Sequence, residues 1–300
     1  MAKVERIVIT GASGLIGRAL VPFLRAQGQT VRTLGRGTGA DVKWDPARGQ
    51  LDSQALAGTE AVVHLAGESL LGRWTARKRQ EILDSRRQAT ELLAEALAGL
   101  EPRPQVLISA SAVGYYGDRG SDVVTEDEGA GEGFLSQVCL AWEAATQAAE
   151  QAGIRVVHLR LGIVASSRGG AFPKMLLPFR LGLGQPLGNG RQYLSWIALP
   201  DLLKAMKHCL NDEALRGPVN AVAPEAVTNR ELSSMAAELL HRWTLPPLPA
   251  FALRAALGEM ADEVLLSSTR AVPQRLLQSG FTFDYPQLPQ ALAAIIEESI

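Results

Sequence analysis

The sequence is poor in cysteine: only Cys139 and Cys209 occur, and they do not have the spacing of metal ligands. Two such residues argue against a disulfide framework, and we expect both to be buried, reduced thiols in a cytosolic protein. The four histidines also lack the spacing of a zinc site. The Gly-x-Ser-x-Gly nucleophile elbow is absent as well. Metalloenzyme and hydrolase functions are therefore disfavoured.

Charge of one sign and long apolar runs are also scarce. The 300 residues carry a formal net charge of -1, with 47% hydrophobic and 20% charged residues. Such a balance gives no global attraction to nucleic acid or to an anionic membrane. No run approaches the roughly 18 apolar residues of a membrane span, and charged residues near the start lead directly into a strand instead of a signal peptide. We expect a cytoplasmic protein with no nucleic-acid or membrane partner.

Short β-branched runs alternate with amphipathic segments through the first half of the chain. This alternation predicts an α/β fold, a Rossmann-like doubly wound parallel sheet with right-handed crossovers. The predicted strands are Arg6–Thr10, Thr30–Arg36, Ala61–Gly67, Gln105–Ser111 and Ile154–Val164. The predicted helices are Leu15–Gly28, Ala76–Leu100 and Phe134–Gly153.

The pattern changes after Val164, where glycine and proline predict loops around a short helix. A late strand at Pro218–Ala223 and a mostly helical tail over Asn229–Ile300, interrupted by a proline-rich break, follow. We predict a nucleotide-binding Rossmann core over residues 1–165 and a smaller, mostly helical substrate-binding region over residues 166–300. About residues 195–223 are expected to return to the core.

A glycine loop, "ITGASGLIGRAL", lies between the first predicted strand and helix. Gly11 permits a tight turn, Gly14 lets backbone amides approach a pyrophosphate, and Gly17 allows close packing of the helix on the strand. The strand–turn–helix context at the start of a βαβ unit makes this loop a predicted dinucleotide-binding site.

The end of the second strand indicates which dinucleotide binds. An acidic residue there would accept hydrogen bonds from the ribose hydroxyls of NAD. The segment instead reads "VRTLGRGTG", with Arg32 and Arg36 and no acid before Asp41. Arg36 is placed to bind the 2′-phosphate of NADP, so NADP(H) is favoured over NAD(H); a solvated loop arginine is the alternative.

Longer motifs give a resemblance. The loop "TGASGLIG", the segment "HLAG" at His64–Gly67 and the long GGA…SWI and GE…GF stretches resemble the extended short-chain dehydrogenase/reductases. Within that superfamily the chain is similar to an atypical subgroup, the NAD-dependent epimerase/dehydratase-like or epimerase-family proteins. The resemblance spans nearly the whole chain and implies an NADP-binding Rossmann core with no firmly known substrate. Two departures, "SWIALPDLL" and Arg242-Trp243, weaken the comparison in the substrate region.

The resemblance also implies cofactor contacts. Besides the three glycines, these are the loop residues Ser13, Leu15 and Ile16, and Leu65, Ala66 and Gly67 of the HLAG segment. His64 stands where the superfamily has asparagine. It either contacts the adenosine half of the cofactor or is a packed core histidine.

The Tyr-x-x-x-Lys pair of active extended enzymes is missing. Alignment on Glu143 puts Leu135 in the tyrosine slot and Cys139 in the lysine slot, and a shift by one residue offers Phe134 and Val138. These side chains cannot supply the tyrosine base that a nearby ammonium activates.

Substitutes for the missing pair lie in "SASAVGYYG". On the superfamily pattern Ser111 would polarise a substrate oxygen, and Tyr115 or Tyr116 would supply a proton. Packing at a strand end, with the hydroxyl bonded to backbone, is an equal interpretation for both tyrosines.

Basic residues cluster in "GRWTARKR" at Gly72–Arg79 and continue in "SRR" at Ser85–Arg87. An anionic substrate or cofactor phosphate is one possible partner for them. The preferred interpretation is the solvated face at the start of a helix.

Two functions remain open. The first is an NADP(H)-dependent oxidoreductase or epimerase that acts by hydride transfer on a small carbonyl or hydroxyl compound, with a nucleotide sugar as the substrate that the family name suggests. The second is a non-catalytic NADP(H)-binding sensor or interaction module. A homodimer is common in the superfamily and is one expectation for the assembly.

Overall fold

The architecture is described from a computed structural model over residues 4–298; the last two residues of the predicted helical tail, Ser299 and Ile300, lie outside this range. The strands are β1 Arg6–Thr10, β2 Thr30–Gly35, β3 Val42–Asp45, β4 Gln50–Leu51, β5 Ala61–His64, β6 Val106–Ala112, β7 Val123–Val124, β8 Arg155–Leu161, β9 Ile163–Ala165, β10 Tyr193–Leu194, β11 Trp196–Ala198, β12 Gly217–Ala221, β13 Val227–Thr228 and β14 Arg270–Ala271. The helices are α1 Leu15–Arg25, α2 Ala76–Ala98, α3 Phe134–Ala144, α4 Gln147–Gln151, α5 Phe172–Arg180, α6 Leu199–Asn211, α7 Asn229–Leu239, α8 Ala250–Leu257, α9 Gln274–Gln278 and α10 Leu288–Glu297.

The central sheet has the strand order β12-β8-β6-β5-β1-β2-β3-β4. Its neighbours are parallel except for the antiparallel pair β3 and β4. The chain runs outward from β1 through β2 in one direction and from β5 through β6 in the other. The predicted Rossmann-like sheet is confirmed, and so is the late strand, which is β12. The switch point between β1 and β5 is where such sheets bind ligands.

Alternate residues of the central strands bury two opposite faces. In β1, Ile7 and Ile9 pack with α1 and α6, whereas Val8 packs with α2 on the other side. Side chains of successive strand residues point to opposite faces of a sheet, so a continuous apolar run fits a strand that is covered on both sides. The helices thereby hold the carboxyl ends of the strands at one edge, where the site lies.

Two predicted elements are each divided in two. The predicted helix Phe134–Gly153 ends as α3 and resumes as α4, because the N–H and the hydroxyl of Thr146 both bond to the carbonyl oxygen of Glu143 and tighten the turn. The predicted strand Ile154–Val164 is broken at Gly162, where a Cβ atom would stand 2.7 Å from the Ser195 carbonyl oxygen. The chain therefore leaves the central sheet there, and β9 pairs with β11.

The C-terminal half forms a second apolar cluster between α5, α7 and α10. Asp201 of α6 is fully buried and accepts hydrogen bonds from the backbone N–H groups of Asp284 (2.8 Å) and Tyr285 (2.9 Å). This carboxylate fixes the segment that leads into α10 to α6. The predicted helix after Val164 is confirmed as α5, whereas the division of the chain at residue 165 stays a prediction.

A segment over residues 258–266, here called the strap, lies across the starts of α2 and α3. Both carboxylate oxygens of Glu263 accept backbone N–H groups of α3, from Phe134 and Leu135, at 3.0 Å each. Arg79 of α2 donates to both oxygens of Glu259, at 3.0 and 2.9 Å. The strap thus supplies the N-terminal cap of α3 from far along the chain.

Both cysteines are buried free thiols that form no disulfide, as predicted. In the part of the chain that the structure describes, no group of histidine, cysteine and acidic side chains is arranged to hold a metal ion. No helix between residues 4 and 298 is long and apolar enough to cross a bilayer.

Candidate functional site

A cleft of about 1260 Å³ opens at the switch point of the sheet. It is bounded by the carboxyl ends of β1, β2, β3 and β5 and by one face of α2. Its lining residues are Gly11, Ala12, Ser13, Gly14, Arg18, Val21, Pro22, Thr33, Leu34, Gly35, Arg36, Gly37, Gly39, Ala40, Trp44, Asp45, Pro46, Ala47, Leu65, Ala66, Gly67, Glu68, Arg77, Gln80, Glu81, Asp84, Ser85, Gln88 and Ala89. The volume suffices for a ligand larger than a single sugar or amino acid.

The glycine loop forms the floor of this cleft in a conformation that side chains would block. Gly11 has a positive φ of 68°, and a Cβ atom on it would stand 2.7 Å from the Leu65 backbone. A Cβ atom on Gly17 would stand 2.4 Å from the Gly11 carbonyl oxygen. These contacts explain two of the three glycines and bring the loop against the end of β5.

The N terminus of α1 faces the cleft without an internal cap. Gly14 is its N-cap residue, no side chain caps it, and its first turn has no acidic residue. Unpaired N–H groups and the positive end of the helix dipole favour an anion at this position. The loop therefore fits a phosphate group as the sequence predicts.

The remaining predicted cofactor residues fall into two groups. Ser13, Leu65, Ala66 and Gly67 line the cleft together with Gly11 and Gly14. Leu15 and Ile16 instead pack against the hydrophobic core, although both stay partly exposed. Their cofactor contact stays a prediction.

Two of the arginines that line the cleft come from α1 and from the segment after β2. Arg36 is exposed and lines the cleft, as the sequence analysis expects. Arg18, on α1, lines it as well and was missed. The signal for Arg18 was its spacing, since it lies one helical turn after Gly14 and so on the same face.

The first acid after β2 is not presented to a ribose. Asp41 accepts hydrogen bonds from the backbone N–H of Thr33 (2.7 Å) and from its hydroxyl (2.9 Å). These hydrogen bonds hold the pKa of Asp41 below its usual value. The carboxylate is thus bound to the protein's own chain, in keeping with the preference for a phosphorylated dinucleotide.

His64 is a fully buried core residue. Its Nδ1 atom lies 2.7 Å from the Thr10 hydroxyl and its Nε2 atom 3.0 Å from the Thr90 hydroxyl. Thr90 donates its own hydrogen to the Arg86 carbonyl oxygen, so His64 carries its proton on Nε2 and Thr10 donates to Nδ1. Burial lowers the pKa of His64 to about 4. The core interpretation of this residue is supported over contact with the cofactor.

The network of His64 fixes the segment that borders the cleft. The Thr10 hydroxyl oxygen accepts the backbone N–H groups of Leu65 (3.1 Å) and Ala66 (3.2 Å). Thr10 and His64 are also register neighbours in β1 and β5. The histidine therefore acts on the cleft by positioning its wall.

A second polar centre lies further along the sheet, where Ser111, Arg160 and Asn220 are register neighbours in β6, β8 and β12. The Ser111 hydroxyl donates to Glu143 at 2.7 Å, and Arg160 binds both oxygens of the same carboxylate at 2.9 Å. Burial opposes the charge of Arg160, but the hydrogen bonds and charge of Glu143 raise its pKa above the usual range. The centre thus holds a buried ion pair.

The two candidate tyrosines have different environments. Tyr116 is fully buried, donates its hydroxyl hydrogen to Asn220 (2.8 Å) and accepts one from Arg160 (2.9 Å). Burial raises the pKa of Tyr116, which Arg160 only partly offsets. Tyr115 is partly exposed, and among the described residues none bonds to its hydroxyl. The geometry therefore favours Tyr115 over Tyr116 as a proton donor.

The slots of the missing pair are filled by apolar contacts. The Leu135 side chain lies 3.3 Å from where a Cβ atom of Gly114 would stand. Cys139 donates its thiol to the Ala112 carbonyl oxygen at 3.7 Å, and burial raises its pKa to about 11. Neither residue can transfer a proton at neutral pH.

Glu143 and Arg160 are site residues that the sequence analysis did not assign. Glu143 served only to align α3, and Arg160 was hidden within a predicted core strand. The available signal was the charge itself, because an arginine within an apolar parallel strand is seldom buried without a partner.

Comparison with known proteins gives consistent matches. The model of the "NAD dependent epimerase/dehydratase family" matches residues 7–221, and the model of "Domain of unknown function (DUF1731)" matches residues 248–295. The epimerase family protein Mb2239 of Mycobacterium bovis is 43% identical over 290 residues, which cover 95% of this chain and 96% of that protein.

Two solved structures share this fold over nearly the whole length of both aligned chains. The human epimerase family protein SDR39U1, crystallised with NADPH, is 34% identical with a TM-score of 0.89, covering 98% of this chain and 99% of its own. MoeE5, in complex with UDP-glucuronic acid and NAD, is 26% identical with a TM-score of 0.77 and covers 98% of each chain.

Proposed function

Since the chain belongs to the NAD-dependent epimerase/dehydratase family, we propose that it is an NADP(H)-binding oxidoreductase or epimerase-like enzyme. Its substrate would be a small carbonyl or hydroxyl compound. The observation that carries this proposal is the uncapped N terminus of α1, which opens into the 1260 Å³ cleft beside Arg18 and Arg36. That combination offers backbone donors for a pyrophosphate and guanidinium groups for a further phosphate.

The protein's part in cofactor binding would be divided among three elements. The N–H groups after Gly14 would hold the diphosphate, and Arg36 and Arg18 would bind the 2′-phosphate through charge-assisted hydrogen bonds. The Leu65–Gly67 segment, fixed by Thr10, would form the opposite wall. The NADPH found with human SDR39U1 supports the phosphorylated nucleotide.

When bound, the nicotinamide would supply or accept the hydride. The Tyr115 hydroxyl would give its proton to the substrate oxygen as the hydride reaches the carbonyl carbon, which leaves an alcohol and a phenolate. The phenolate would lie beside the Arg160 guanidinium, whose Cζ atom is 3.4 Å from the Tyr115 ring centroid. A proton from solvent would then restore the phenol.

Ser111 would orient the substrate in this scheme. Because its hydrogen points to Glu143, its oxygen would be the atom that accepts a bond from a substrate hydroxyl. To polarise a carbonyl, the hydrogen must rotate away from Glu143. This arrangement favours binding of the alcohol form of the substrate over binding of its carbonyl form.

A nucleotide sugar is our candidate substrate within this class. MoeE5 has the same fold and was solved with UDP-glucuronic acid and with UDP-glucose. Both ligands combine a secondary hydroxyl, which hydride transfer can oxidise, with a diphosphate. The proposal for this chain extends from that likeness.

Calorimetry on cofactor-free protein tests the binding part of the proposal. NADPH should bind more tightly than NADH, and Arg36→Ala should weaken NADPH by about tenfold or more while NADH changes little. Arg242→Ala is the control, because Arg242 is exposed and does not line the cleft. Absence of binding heat with both nucleotides would refute the proposal.

A non-catalytic NADP(H) sensor is the second candidate, favoured by the apolar occupants Leu135 and Cys139. Such a protein would bind NADPH as above but would not oxidise it. Absorbance at 340 nm with a panel of carbonyl compounds, including nucleotide sugars oxidised at one hydroxyl, separates the two candidates. Sustained NADPH consumption would exclude the sensor.

We further propose a cytoplasmic protein that acts on its small molecule without nucleic-acid or membrane partners, and a homodimer as its assembly. Light scattering of the purified protein tests the assembly, since a dimer should show twice the 32.1 kDa chain mass. A monomer across the working concentration range would contradict it.

A further inference from the structure

Arg86 of α2 is a buried cation whose guanidinium has few hydrogen-bond acceptors around it. Its exposed fraction is 8%, against the sequence-based expectation of a solvated helix face for the Ser85–Arg87 stretch. A guanidinium has five N–H donors. Among the described residues, the Ile82 carbonyl oxygen is the hydrogen-bond acceptor that engages it, at 3.1 Å. The neighbouring Arg87, by contrast, is partly exposed and paired with Glu91 at 3.1 Å.

The guanidinium of Arg86 lies next to the wall of the cofactor cleft. Its Cζ atom lies 3.4 Å from where a Cβ atom of Gly67 would stand, and 4.9 Å from the centroid of the Trp142 ring of α3. Cys139, which occupies the lysine slot, is close enough to influence the pKa of Arg86. Arg86 therefore lies between the Gly67 wall of the cleft and the slot from which the lysine is missing.

The groups around Arg86 do not neutralise it. The Cys139 thiol stays protonated at neutral pH, because burial raises its pKa to about 11. Glu68 acts on Arg86 only through its charge, while its carboxylate binds Lys78 at 2.6 Å. Burial lowers the pKa of Arg86, yet an arginine remains charged in a protein. A buried charge with unused donors is unfavourable unless a ligand supplies acceptors.

The dinucleotide would carry such acceptors past Arg86 on its path across the sheet. A dinucleotide that starts in the cleft at Arg36 and ends near Ser111 must cross the ends of β5 and β6, which are neighbouring strands. Gly67 follows β5, and the absence of its side chain leaves the guanidinium direct access to the backbone edge there. The part of the dinucleotide that crosses this point is the half that carries the nicotinamide.

We propose that Arg86 binds the nicotinamide-side half of the dinucleotide, through oxygen atoms of its ribose or its phosphate, as the cation that replaces the missing lysine. This assignment rests on the proposed function and adds a residue on a different helix from the one that carries the lysine slot. Arg86 would thus hold the reactive end of the cofactor, whereas Arg36 would hold the opposite end.

Binding of two ligands of different length tests the assignment. NADPH contains both halves, whereas 2′,5′-ADP contains the adenosine half with its extra phosphate and lacks the nicotinamide half. Arg86→Met should weaken NADPH by about 10- to 100-fold and leave 2′,5′-ADP unchanged. Arg86→Lys should recover part of the NADPH affinity. Arg87→Met, the matched control on the same helix, should change neither.

Each other outcome has a defined meaning. Unchanged NADPH affinity in Arg86→Met, or an equal loss for both ligands, overturns the assignment while the proposed cofactor stands. Retained 2′,5′-ADP binding shows that the variant is folded, so a selective loss of NADPH is not a folding defect. Wild-type protein that binds neither ligand overturns the proposed function and the assignment together.

Discussion

The guanidinium of Arg160 lies over the ring of Tyr115, with its Cζ atom 3.4 Å from the ring centroid. The same group binds both oxygens of Glu143 and the hydroxyl of Tyr116. Glu143 in turn accepts the hydroxyl of Ser111. One buried cation, which comes from strand β8, therefore connects all three residues that the sequence singles out for chemistry.

Removal of Arg160 should be strongly destabilising. Arg160→Met leaves the Glu143 carboxylate, whose side chain is 12% exposed, without its ion-pair partner. Loss of one member of a buried pair costs about 3–5 kcal/mol in the free energy of unfolding. Urea unfolding measures this loss, and the double variant Arg160→Met/Glu143→Leu should recover much of it because no charge is left unpaired.

Arg254→Met is the control for that experiment. Arg254 pairs with Asp262 at the surface, where the side chains are 55% and 49% exposed. A pair of this kind contributes less than about 1 kcal/mol. Similar losses in the Arg160 and Arg254 variants would contradict the buried-pair argument.

Substitution of the two tyrosines should separate stability from turnover. Tyr116→Phe removes the hydrogen-bond partner of the Asn220 side-chain oxygen and of one Arg160 N–H group, and it should lower the free energy of unfolding by about 1–3 kcal/mol. Tyr115→Phe should change it by less than about 0.5 kcal/mol but reduce carbonyl-dependent NADPH oxidation about 100-fold or more. Full turnover in Tyr115→Phe would remove this residue from the mechanism.

The buried His64 predicts a loss of stability in mild acid. Its pKa is about 4 in the folded protein because of burial, against 6.5 ordinarily. The unfolded chain therefore binds the proton first, and the stabilisation, complete above pH 6.5, is lost as the pH falls towards 4. The slope is about 1.4 kcal/mol per pH unit for one proton.

Comparison of urea unfolding at pH 7, 6, 5 and 4.5 checks this slope. His64→Asn should reduce the pH dependence by close to one bound proton, because asparagine does not titrate. His241→Asn should leave it unchanged, since His241 is exposed and its positive φ of 53° suits asparagine. A wild-type slope that survives in His64→Asn would place the titration elsewhere.

The glycine loop should tolerate no side chain at Gly17. A Cβ atom there would stand 2.4 Å from the Gly11 carbonyl oxygen and 2.5 Å from the Ala12 Cα atom. Gly17→Ala should therefore lower the free energy of unfolding by about 1–3 kcal/mol and weaken NADPH binding, since the loop must move. Thermal unfolding and calorimetry measure the two effects.

Gly129→Ala is the matched control, because nothing lies within 4 Å of its added Cβ atom. It should change stability by less than about 0.5 kcal/mol and leave NADPH binding intact. Equal affinity for NADPH in Gly17→Ala and the wild type would show that the loop does not contact the cofactor.

The sequence predicts the central sheet well because its signal is local. Runs such as Arg6–Thr10 and Ala61–Gly67 are apolar, and strands covered on both faces need that composition. The divisions at Thr146 and Gly162 depend on contacts that the local pattern does not contain. Gly162 is a break only because Ser195 passes beside it.

The cofactor half of the site follows from the sequence for the same reason. Gly11, Gly14 and Gly17 lie in one short stretch of the chain, so their spacing alone indicates their function. Arg160 and Arg86 gain their roles from partners on other elements, Glu143 and Gly67, and helix or strand periodicity alone predicts neither of them as a site residue.

The cap that Glu263 gives to α3 also affects how the protein is made. The N–H groups of Phe134 and Leu135 precede their acceptor by 129 and 128 positions. During synthesis, which delivers the N-terminal part first, the ribosome completes the entire predicted nucleotide-binding core before this acceptor exists. A nascent or truncated chain that stops before the strap would keep the start of α3 open to water, and with it the helix that carries Glu143.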